Sequence, residues 1–358
     1  MAGVKRIIQV LPDLGMAGAP FAALNLIPDF LSAGSAMMVM ALEGGEREGL
    51  FTAAGATVSL QPRLGSFFFG HKAVETARAF KPDIIHAIGT DVALPSAKLA
   101  RACGVPLAVT VNRLDRNQEL NKLPDAIPWG LIALSDAIQE QLSIGLKIPR
   151  ERAVIIPNGL NLKFFPPPNM VHTASMAFRR LPVVGTYGTL AEMKGQRDFL
   201  QAAACVIARG IDAEFLVMGH GPDKPKLREI AEKLRISHRL TFSASTITDS
   251  RNITNIDIFV EPTKREGFGM SVLQAMATGV PVVACGVGGI YSLINDGETG
   301  LLVGANDVPA MSNAICRLLS DAVLRDELAH NARSRVEKDF NSKTIVKRLL
   351  DYFDTLKR

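Results

Sequence analysis

Short apolar runs alternate with amphipathic segments along this chain, and the alternation occurs twice. In the first half, five runs predict strands: Arg6–Leu11, Ala36–Ala41, Thr57–Leu60, Ile84–Ile88 and Leu107–Val111. Most of them are continuous in Val, Ile, Leu, Met and Ala rather than alternating with polar residues, which is typical of parallel strands buried on both faces. Strands that are separated by helices, such as the one predicted from Pro20 to Ser32, indicate a doubly wound parallel sheet.

The alternation stops at the triple proline Pro166-Pro167-Pro168 and starts again near Pro182. The second half predicts another set of strands: 182–186, Glu214–Met218, 239–242, 256–260 and 280–284. A proline cluster followed by a polar stretch is typical of a linker. The sequence therefore predicts an α/β protein with a first domain at residues 1–165, a linker at 166–180 and a second domain at 181–340.

The last segment of the chain, residues 341–358, predicts an amphipathic helix. Its apolar residues lie on one helical face: Ile345, Val346, Leu349, Leu350, Phe353 and Leu356. Such a face must be buried against another element. We expect this helix to pack back on the N-terminal domain.

Composition excludes several functional classes. The formal net charge is only +5, and the chain has one Trp and three Tyr, so a nucleic acid partner is not expected. The mild positive excess suits anionic small molecules or an anionic membrane surface. The four cysteines show neither metal-ligand nor disulfide spacing, so no metal site is expected. Without a signal peptide or an apolar run of ~20 residues, the expected location is cytoplasmic.

The segment EGFGMSVLQ, which begins at Glu266, carries the strongest chemical signal. A predicted strand ends before it, a glycine-rich turn at Gly267 and Gly269 exposes backbone amides, and a helix begins near Met270. Backbone N–H groups and the helix dipole favour phosphate at such a position. Glu266 is a carboxylate suited to sugar hydroxyls, and Gln274 lies one turn inside the helix.

Together with other segments, this one resembles the signature of glycosyltransferase family 4, a Glu followed by seven residues and a second Glu. The resemblance covers nearly the whole chain in an ordered set of motifs: the glycine turn 15–18, AVIIPNGLNLKFFPPP at 153–168, VVGTYGTLAEMKG at 183–195, VMGHGP at 217–222 and GGIYSLINDGETGLLV at 288–303. It implies two doubly wound Rossmann-like domains that face each other across a cleft, the GT-B fold.

This resemblance implies a retaining, metal-independent transferase without a cofactor. It would move a sugar from a nucleotide-diphosphate donor to a glycan or lipid-linked acceptor, in cell-envelope glycan or lipopolysaccharide-type biosynthesis. Lys194 matches the phosphate-binding lysine and Glu266 the glutamate that contacts the donor sugar, and both are the expected catalytic residues. From the residues alone, Lys194 also fits a solvated position at a helix start, and Glu266 fits a helix cap.

Further donor-binding residues are expected around these two. The resemblance assigns this role to Gly18, Thr189, Gly221, Gly267, Phe268, Gly269, Met270 and Gln274. Gly18 would let the backbone of the first domain approach the diphosphate, although a plain tight turn also explains a glycine there.

Three positions depart from the pattern of the family. Thr189 stands where an Arg is usual, Gln274 replaces the second Glu, and Asn112 follows a strand that commonly ends in His. The first two changes remove one positive and one negative charge from the predicted donor site. They keep two alternatives open: a non-catalytic paralogue that binds nucleotide sugars, and another GT-B activity such as a nucleotide-sugar epimerase.

The acceptor side is marked by Asn112 and by His86, which we expect at the end of a strand near the cleft. A hydrogen-bonded histidine of the core is the alternative for His86. The run Phe67–Phe69 lies between Arg63 and Lys72. An exposed apolar loop beside basic residues suits a lipid-linked acceptor or peripheral contact with the inner face of a membrane. These phenylalanines also fit an inward-packed loop.

Overall fold

A computed structural model describes residues 6–15, 18–61, 70–114, 118–123, 128–166, 181–244, 253 and 255–356. The chain forms two compact units. The first contains the residues up to Asn161 together with those from Phe340 onward, and the second runs from Leu162 to Asp339. The first boundary lies before the predicted one at residue 165, because Phe165 is fully buried and its carbonyl accepts a 2.7 Å hydrogen bond from Arg333 of the second unit.

The first unit is built on a seven-stranded sheet in the order β3-β2-β1-β4-β5-β6-β7. The strands are β1 (Arg6–Leu11), β2 (Ala36–Ala41), β3 (Thr57–Leu60), β4 (Ile84–Ile88), β5 (Leu107–Val111), β6 (Trp129–Ala133) and β7 (Ala153–Ile155). Every neighbouring pair in this sheet is parallel. All residues of β4 and β5 are buried, as expected from their continuous apolar sequence.

Five helices lie between these strands within the described residues. They are α1 (Gly18–Ser32), α2 (Glu48–Ala53), α3 (His71–Phe80), α4 (Ala93–Cys103) and α5 (Asp136–Gly145). The helix α5 begins after Ser135, whose hydroxyl accepts a hydrogen bond from the N–H of Ile138. Glycine in the left-handed conformation ends α4, where Gly104 has φ of 69°.

The second unit repeats this plan with six parallel strands in the order β10-β9-β8-β11-β12-β13. The strands are β8 (Val183–Tyr187), β9 (Glu214–Met218), β10 (Leu240–Ser243), β11 (Ile258–Glu261), β12 (Val282–Cys285) and β13 (Leu301–Val303). The helices are α6 (Gln196–Ala208), α7 (Lys224–Lys233), α8 (Met270–Ala277), α9 (Ile290–Leu293), α10 (Val308–Ser320) and α11 (Ala322–Asp339).

The strand order reverses direction once in each sheet. In the first unit the reversal lies between β1 and β4, and in the second between β8 and β11. Loops that leave such neighbouring strands diverge to opposite faces, which opens a crevice beyond their carboxyl ends where ligands bind. The topology therefore makes the loops after β8 and β11 the part of the second unit most suited to a ligand.

The final helix, α12 (Ser342–Leu356), belongs to the first unit. Four of its apolar side chains are buried in the core of that unit: Ile345, Val346, Leu349 and Phe353. The hydroxyl of Ser342 donates a hydrogen bond to the carboxylate of Asp29, and the hydroxyl of Tyr352 donates one of 3.2 Å to the carbonyl of Leu131. The apolar face read from the sequence is thus the buried face of this helix.

The predicted fold class is confirmed, since both units are α/β with parallel sheets. Three strands were not predicted, β6, β7 and β13. The predicted strands at 182–186, 239–242, 256–260 and 280–284 are shifted to Val183–Tyr187, Leu240–Ser243, Ile258–Glu261 and Val282–Cys285. None of the helices in the described ranges is long and apolar enough to cross a membrane.

We expect that Phe353→Ala destabilises the first unit by about 3–5 kcal/mol, because it removes a fully buried ring and leaves a cavity. Denaturant unfolding followed by the fluorescence of Trp129 measures this, since the only Trp of the chain lies on β6 of that unit. Thr355→Ala, at an exposed position of the same helix, is the matched control. A loss below about 1 kcal/mol in Phe353→Ala would contradict the structural role of α12.

Candidate active site

The loops after β8 and β11 bring together the two residues expected to be catalytic. Lys194 ends a short 3₁₀ turn after β8, and Glu266 lies in the loop after β11. The lysine Nζ and the glutamate Oε2 are 2.5 Å apart, a charge-assisted hydrogen bond. About one third of the lysine side chain remains exposed, and 18% of the glutamate side chain. The ion pair is therefore accessible to a ligand from one side.

Glycine allows these two loops to approach each other. Gly195, directly after the lysine, has φ of 69°, and a Cβ at this position would lie only 1.9 Å from the carbonyl oxygen of Pro262. No other residue fits there without separating the loops. The backbone N–H of Lys264 also donates a 2.9 Å hydrogen bond to the carbonyl of Met193. The backbone thus fixes the distance between Lys194 and its partner.

The glycine-rich turn leads from Glu266 into α8, as predicted. Gly267 donates its N–H to Oε1 of Glu266 at 3.2 Å, so each carboxylate oxygen of this residue has a donor. Gly269 has φ of 103° and precedes the first helical residue, Met270. Gly269 provides no side-chain cap for α8, so the positive end of this helix is suited to binding an anion.

Phe268 lies in the same turn, but its side chain is only 3% exposed. Its aromatic ring is part of the protein interior. The predicted role of this residue in donor binding is therefore restricted to its backbone.

A third charged group, Glu261, lies under this turn. It is the last residue of β11, its side chain is 3% exposed, and its Oε2 accepts a hydrogen bond from the hydroxyl of Ser271 in α8. Burial raises the pKa of the Glu261 carboxyl to about 7, and the charge of Glu266 adds to this, although Lys194 and the hydrogen bonds act in the opposite direction. This carboxyl can therefore exchange a proton near neutral pH.

The lysine responds to both carboxylates. Burial by itself lowers the pKa of Lys194, but the charges of Glu266 and Glu261 together with the hydrogen bond to Glu266 outweigh it, so that the net shift is upward. The side chain therefore stays a cation throughout the physiological pH range. A permanent positive charge is what a phosphate-binding lysine requires.

The other donor residues predicted for this unit occupy different environments. Thr189 is exposed in the loop after β8, in the same segment as Lys194. Gln274 lies one turn into α8 and is 3% exposed. Gly221 follows β9, and a Cβ there would lie 2.2 Å from the carbonyl oxygen of Leu190, so this glycine allows two backbone segments to pack closely.

In the first unit, Gly18 is the exposed first residue of α1. Asn112 directly follows β5 and is half-buried, with its side chain next to Gly89, where a Cβ would lie 3.7 Å from the amide nitrogen. Both residues lie beyond the carboxyl ends of parallel strands, where sites form in this type of sheet. Their predicted roles in donor and acceptor binding stay predictions.

The prediction that His86 ends a strand is wrong. His86 is the middle residue of β4 and is 2% exposed. Its Nε2 lies 2.8 Å from the hydroxyl of Thr110, and its ring packs edge-on against Phe353 at 5.2 Å. Burial lowers its pKa to about 3, so the ring is neutral. The geometry favours the alternative, a hydrogen-bonded histidine of the core. The Phe67–Phe69 run, by contrast, lies outside the described residues.

Sequence reasoning missed Glu261 and Ser271 as members of the site. The available signal was position: a carboxylate that directly follows the three apolar residues Ile258, Phe259 and Val260 of a central strand lies at the carboxyl end of the sheet. The prediction ended this strand one residue earlier and treated Glu261 as part of the following loop.

Comparison with protein families gives one match for each half of the chain. Residues 20–164 match the model described as Glycosyltransferase Family 4, and residues 181–321 match the model described as Glycosyl transferases group 1. The site residues Lys194, Glu266 and Gln274 all lie within the second match.

Curated relatives share part of their length with this chain. The capsular polysaccharide biosynthesis glycosyltransferase CapM of Staphylococcus aureus is 30% identical over 48% of this chain and 46% of its own length. The lipopolysaccharide core biosynthesis mannosyltransferase LpsB of Rhizobium meliloti is 30% identical over 57% of this chain and 61% of its own length. The chain thus spans about half the length of these relatives.

A likeness to solved structures extends over both units. HepE of Anabaena, crystallised in complex with UDP and glucose, has a TM-score of 0.83 and 19% identity, with 98% of this chain and 100% of that chain covered. At this identity the likeness shows the fold, and the fold is that of GT-B glycosyltransferases. The GT-B expectation is confirmed.

We expect the stability of the second unit to fall as the pH rises from about 4.5 to about 7. In that range Glu261 ionises in the unfolded chain, where its pKa is near the ordinary 4.5, but stays protonated in the folded protein. Over this pH range the free energy of unfolding should fall by about 3 kcal/mol. Glu261→Gln lacks this loss, so its calorimetric unfolding midpoint should rise relative to the parent between about pH 5 and about pH 8.

The matched control is Glu232→Gln, a neutralisation at an exposed position of α7 in the same unit. Its midpoint should follow that of the parent at every pH. Equal pH profiles for Glu261→Gln and the parent would show that Glu261 ionises normally.

Proposed function

The chain belongs to the glycosyltransferases of family 4 type, and on this premise we propose that it is a retaining transferase that uses a nucleotide-diphosphate sugar as donor. The observation that carries the proposal is the accessible ion pair of Lys194 and Glu266 at the start of α8. The pair lies where the strand order of the second sheet reverses. A cation, a helix N-terminus and a carboxylate are the groups that a sugar diphosphate requires.

The roles of these groups follow from their charges. Lys194 binds the diphosphate, and the positive end of α8 adds to the stabilisation of the negative charge that develops as the sugar leaves. Glu266 then accepts hydrogen bonds from the hydroxyls of the donor sugar. Both groups are positioned before the ligand arrives, so they need little reorganisation during the reaction.

Retention and independence of metal ions are parts of this proposal. Lys194 and the start of α8 supply positive charge at the position where a metal ion would otherwise neutralise a departing diphosphate. Asn112 remains the candidate for binding an acceptor hydroxyl in the first unit, since its amide donates and accepts hydrogen bonds.

The relatives support a class of acceptor. CapM is named for capsular polysaccharide biosynthesis and LpsB for the lipopolysaccharide core. We infer that this chain acts on a glycan or lipid-linked acceptor of the cell envelope, and a lipid-linked acceptor would place the reaction at the inner face of a membrane. HepE was crystallised with UDP and glucose, so UDP-glucose is the first donor to test, with UDP-N-acetylglucosamine, GDP-mannose and ADP-glucose beside it.

Removal of the lysine should weaken both binding and chemistry. We expect Lys194→Ala to bind the preferred donor at least about tenfold more weakly and to turn it over about 10²–10³-fold more slowly, as for the loss of one preorganised charge-stabilising group. Glu266→Gln should lower turnover with a smaller effect on binding, because the diphosphate contacts remain. Saturation-transfer NMR measures binding, and release of the nucleoside diphosphate in EDTA measures turnover.

The control is Lys233→Ala, which removes an exposed Lys–Glu pair of similar length, 2.6 Å to Glu229 on α7. Unchanged turnover in both site variants would contradict the proposal, and a requirement for added divalent cation would contradict its metal-independent form. Selective donor binding without turnover by the parent, with any acceptor, would favour the non-catalytic alternative that Thr189 and Gln274 keep open.

Retention predicts the stereochemistry of the product. When water replaces the acceptor, we expect an α-linked donor such as UDP-glucose to release α-glucose first. Proton NMR of the anomeric region, recorded before mutarotation, distinguishes the two anomers. Initial release of β-glucose would identify an inverting reaction and overturn this part of the proposal.

A further inference from the structure

The carboxyl of Glu261 occupies a position from which it acts on the donor site without touching solvent. It ends the central strand β11 and is 3% exposed. Its hydrogen-bond partner, Ser271, is the second residue of α8, the helix whose start we assign to the diphosphate. The carboxyl therefore lies next to the binding groups rather than among them.

The charges around this carboxyl do not balance when it is ionised. Lys194 faces Glu266 by direct contact and Glu261 through space, so one cation serves two carboxylates. A donor adds the negative charges of its two phosphates and competes with both carboxylates for the lysine. A buried carboxylate that loses its share of a cation is unstable in a medium of low dielectric.

We propose that Glu261 is a proton-linked positioning residue: it shares Lys194 with Glu266 while no donor is bound, and it takes up one proton from solvent when the diphosphate binds to Lys194 and the start of α8. This inference rests on the proposed function of the site. The protonated carboxyl keeps a hydrogen bond with Ser271, because both groups can then donate and accept. The cost of protonation is small near neutrality, since burial already brings the pKa of Glu261 to about 7.

Two charged groups act on this carboxyl, Lys194 after β8 and Glu266 after β11. The thiol of Cys285 on β12 is influenced by Glu261 and also by Asp198 on α6, Lys264 after β11 and Asp307 before α10. Lys264 and Asp198 form an ion pair of 3.4 Å with each other. Burial raises the pKa of the Cys285 thiol to about 12, so it stays protonated. His220, in the loop after β9, is the histidine whose backbone contacts the loop that leads to Lys194, through a 2.8 Å bond from the N–H of Leu190 to its carbonyl. His220→Gln is therefore the control for proton uptake by another group of this unit.

The test uses calorimetric titration of the full chain with UDP-glucose in buffers of different ionisation enthalpy. Both phosphates of this donor are esterified, so the ligand itself has no proton that titrates near neutrality. At pH 8 we expect the parent to take up about one proton for each donor molecule that binds. The donor affinity of the parent should fall roughly tenfold between pH 6 and pH 8.

Two variants of the site give different signatures. Glu261→Gln, which resembles the protonated form, should bind without proton uptake and with little dependence on pH. Ser271→Ala removes a hydrogen bond that stabilises the ionised carboxyl, so the fall in affinity should move to higher pH. His220→Gln should keep the full proton uptake of the parent.

Proton uptake that persists in Glu261→Gln, or that disappears in His220→Gln, would overturn the proposal. If the parent binds none of the four nucleotide sugars at any pH, the proposed function fails. The protonation of Glu261 is then measured directly in the protein without a donor. Carbon-13 NMR of the glutamate carboxyls then decides: a resonance that titrates near pH 7 and is missing in Glu261→Gln supports the charge sharing with Lys194, and its absence rejects it.

Discussion

The site in the second unit depends on the close approach of two backbone loops. Gly195 lies against the carbonyl of Pro262 at a distance that excludes any Cβ, and Lys264 donates its N–H to Met193 across the same junction. Both loops leave neighbouring parallel strands, so the sheet sets their origin and the glycine sets their separation. The side chains of the ion pair inherit this geometry. Their positions are therefore a property of the backbone, not of the ion pair.

The small energetic contribution of the ion pair agrees with the conclusion that the backbone, and not the pair, sets the geometry of the site. A partly exposed pair such as Lys194 and Glu266 contributes little to stability. Arg333 in the same unit shows the contrast, because its buried guanidinium donates to the carbonyl of Phe165 at 2.7 Å and to Glu337 at 2.7 Å. Besides its pair with Glu337 within α11, that cation joins elements of the fold through the neutral backbone carbonyls of Phe165 and Ala277. Lys194, whose partner is a carboxylate, is partly open to solvent and lies beside two negative charges, as expected for a group that exchanges its partner for an anionic ligand.

The sequence predicted the central strands well because their apolar runs leave no other interpretation. The strand Ala153–Ile155 escaped because three residues carry no periodicity, and its place depends on pairing with β6. His86 shows a second limit. A polar residue within an apolar strand faces either a site or the core. His86 faces the core, because its ring packs against that of Phe353 from the last helix. Position within the sheet is a tertiary property. The turn from Glu266 into α8 was predictable since glycines and the helix start are adjacent in the chain.

The departures from the family pattern and the buried Glu261 all change the balance of positive and negative charge in the site. Thr189 brings no cation to the loop after β8, and Gln274 brings no carboxylate to α8, whereas Glu261 adds a carboxylate at the end of β11. A single lysine then faces two carboxylates, and a diphosphate adds further negative charge. A buried carboxyl whose pKa is near 7 can relieve this excess by protonation, which a permanently ionised group cannot do. On the proposed function, a site with Thr189 where the family usually has an arginine can still bind an anionic donor, because one of the remaining negative charges is removable.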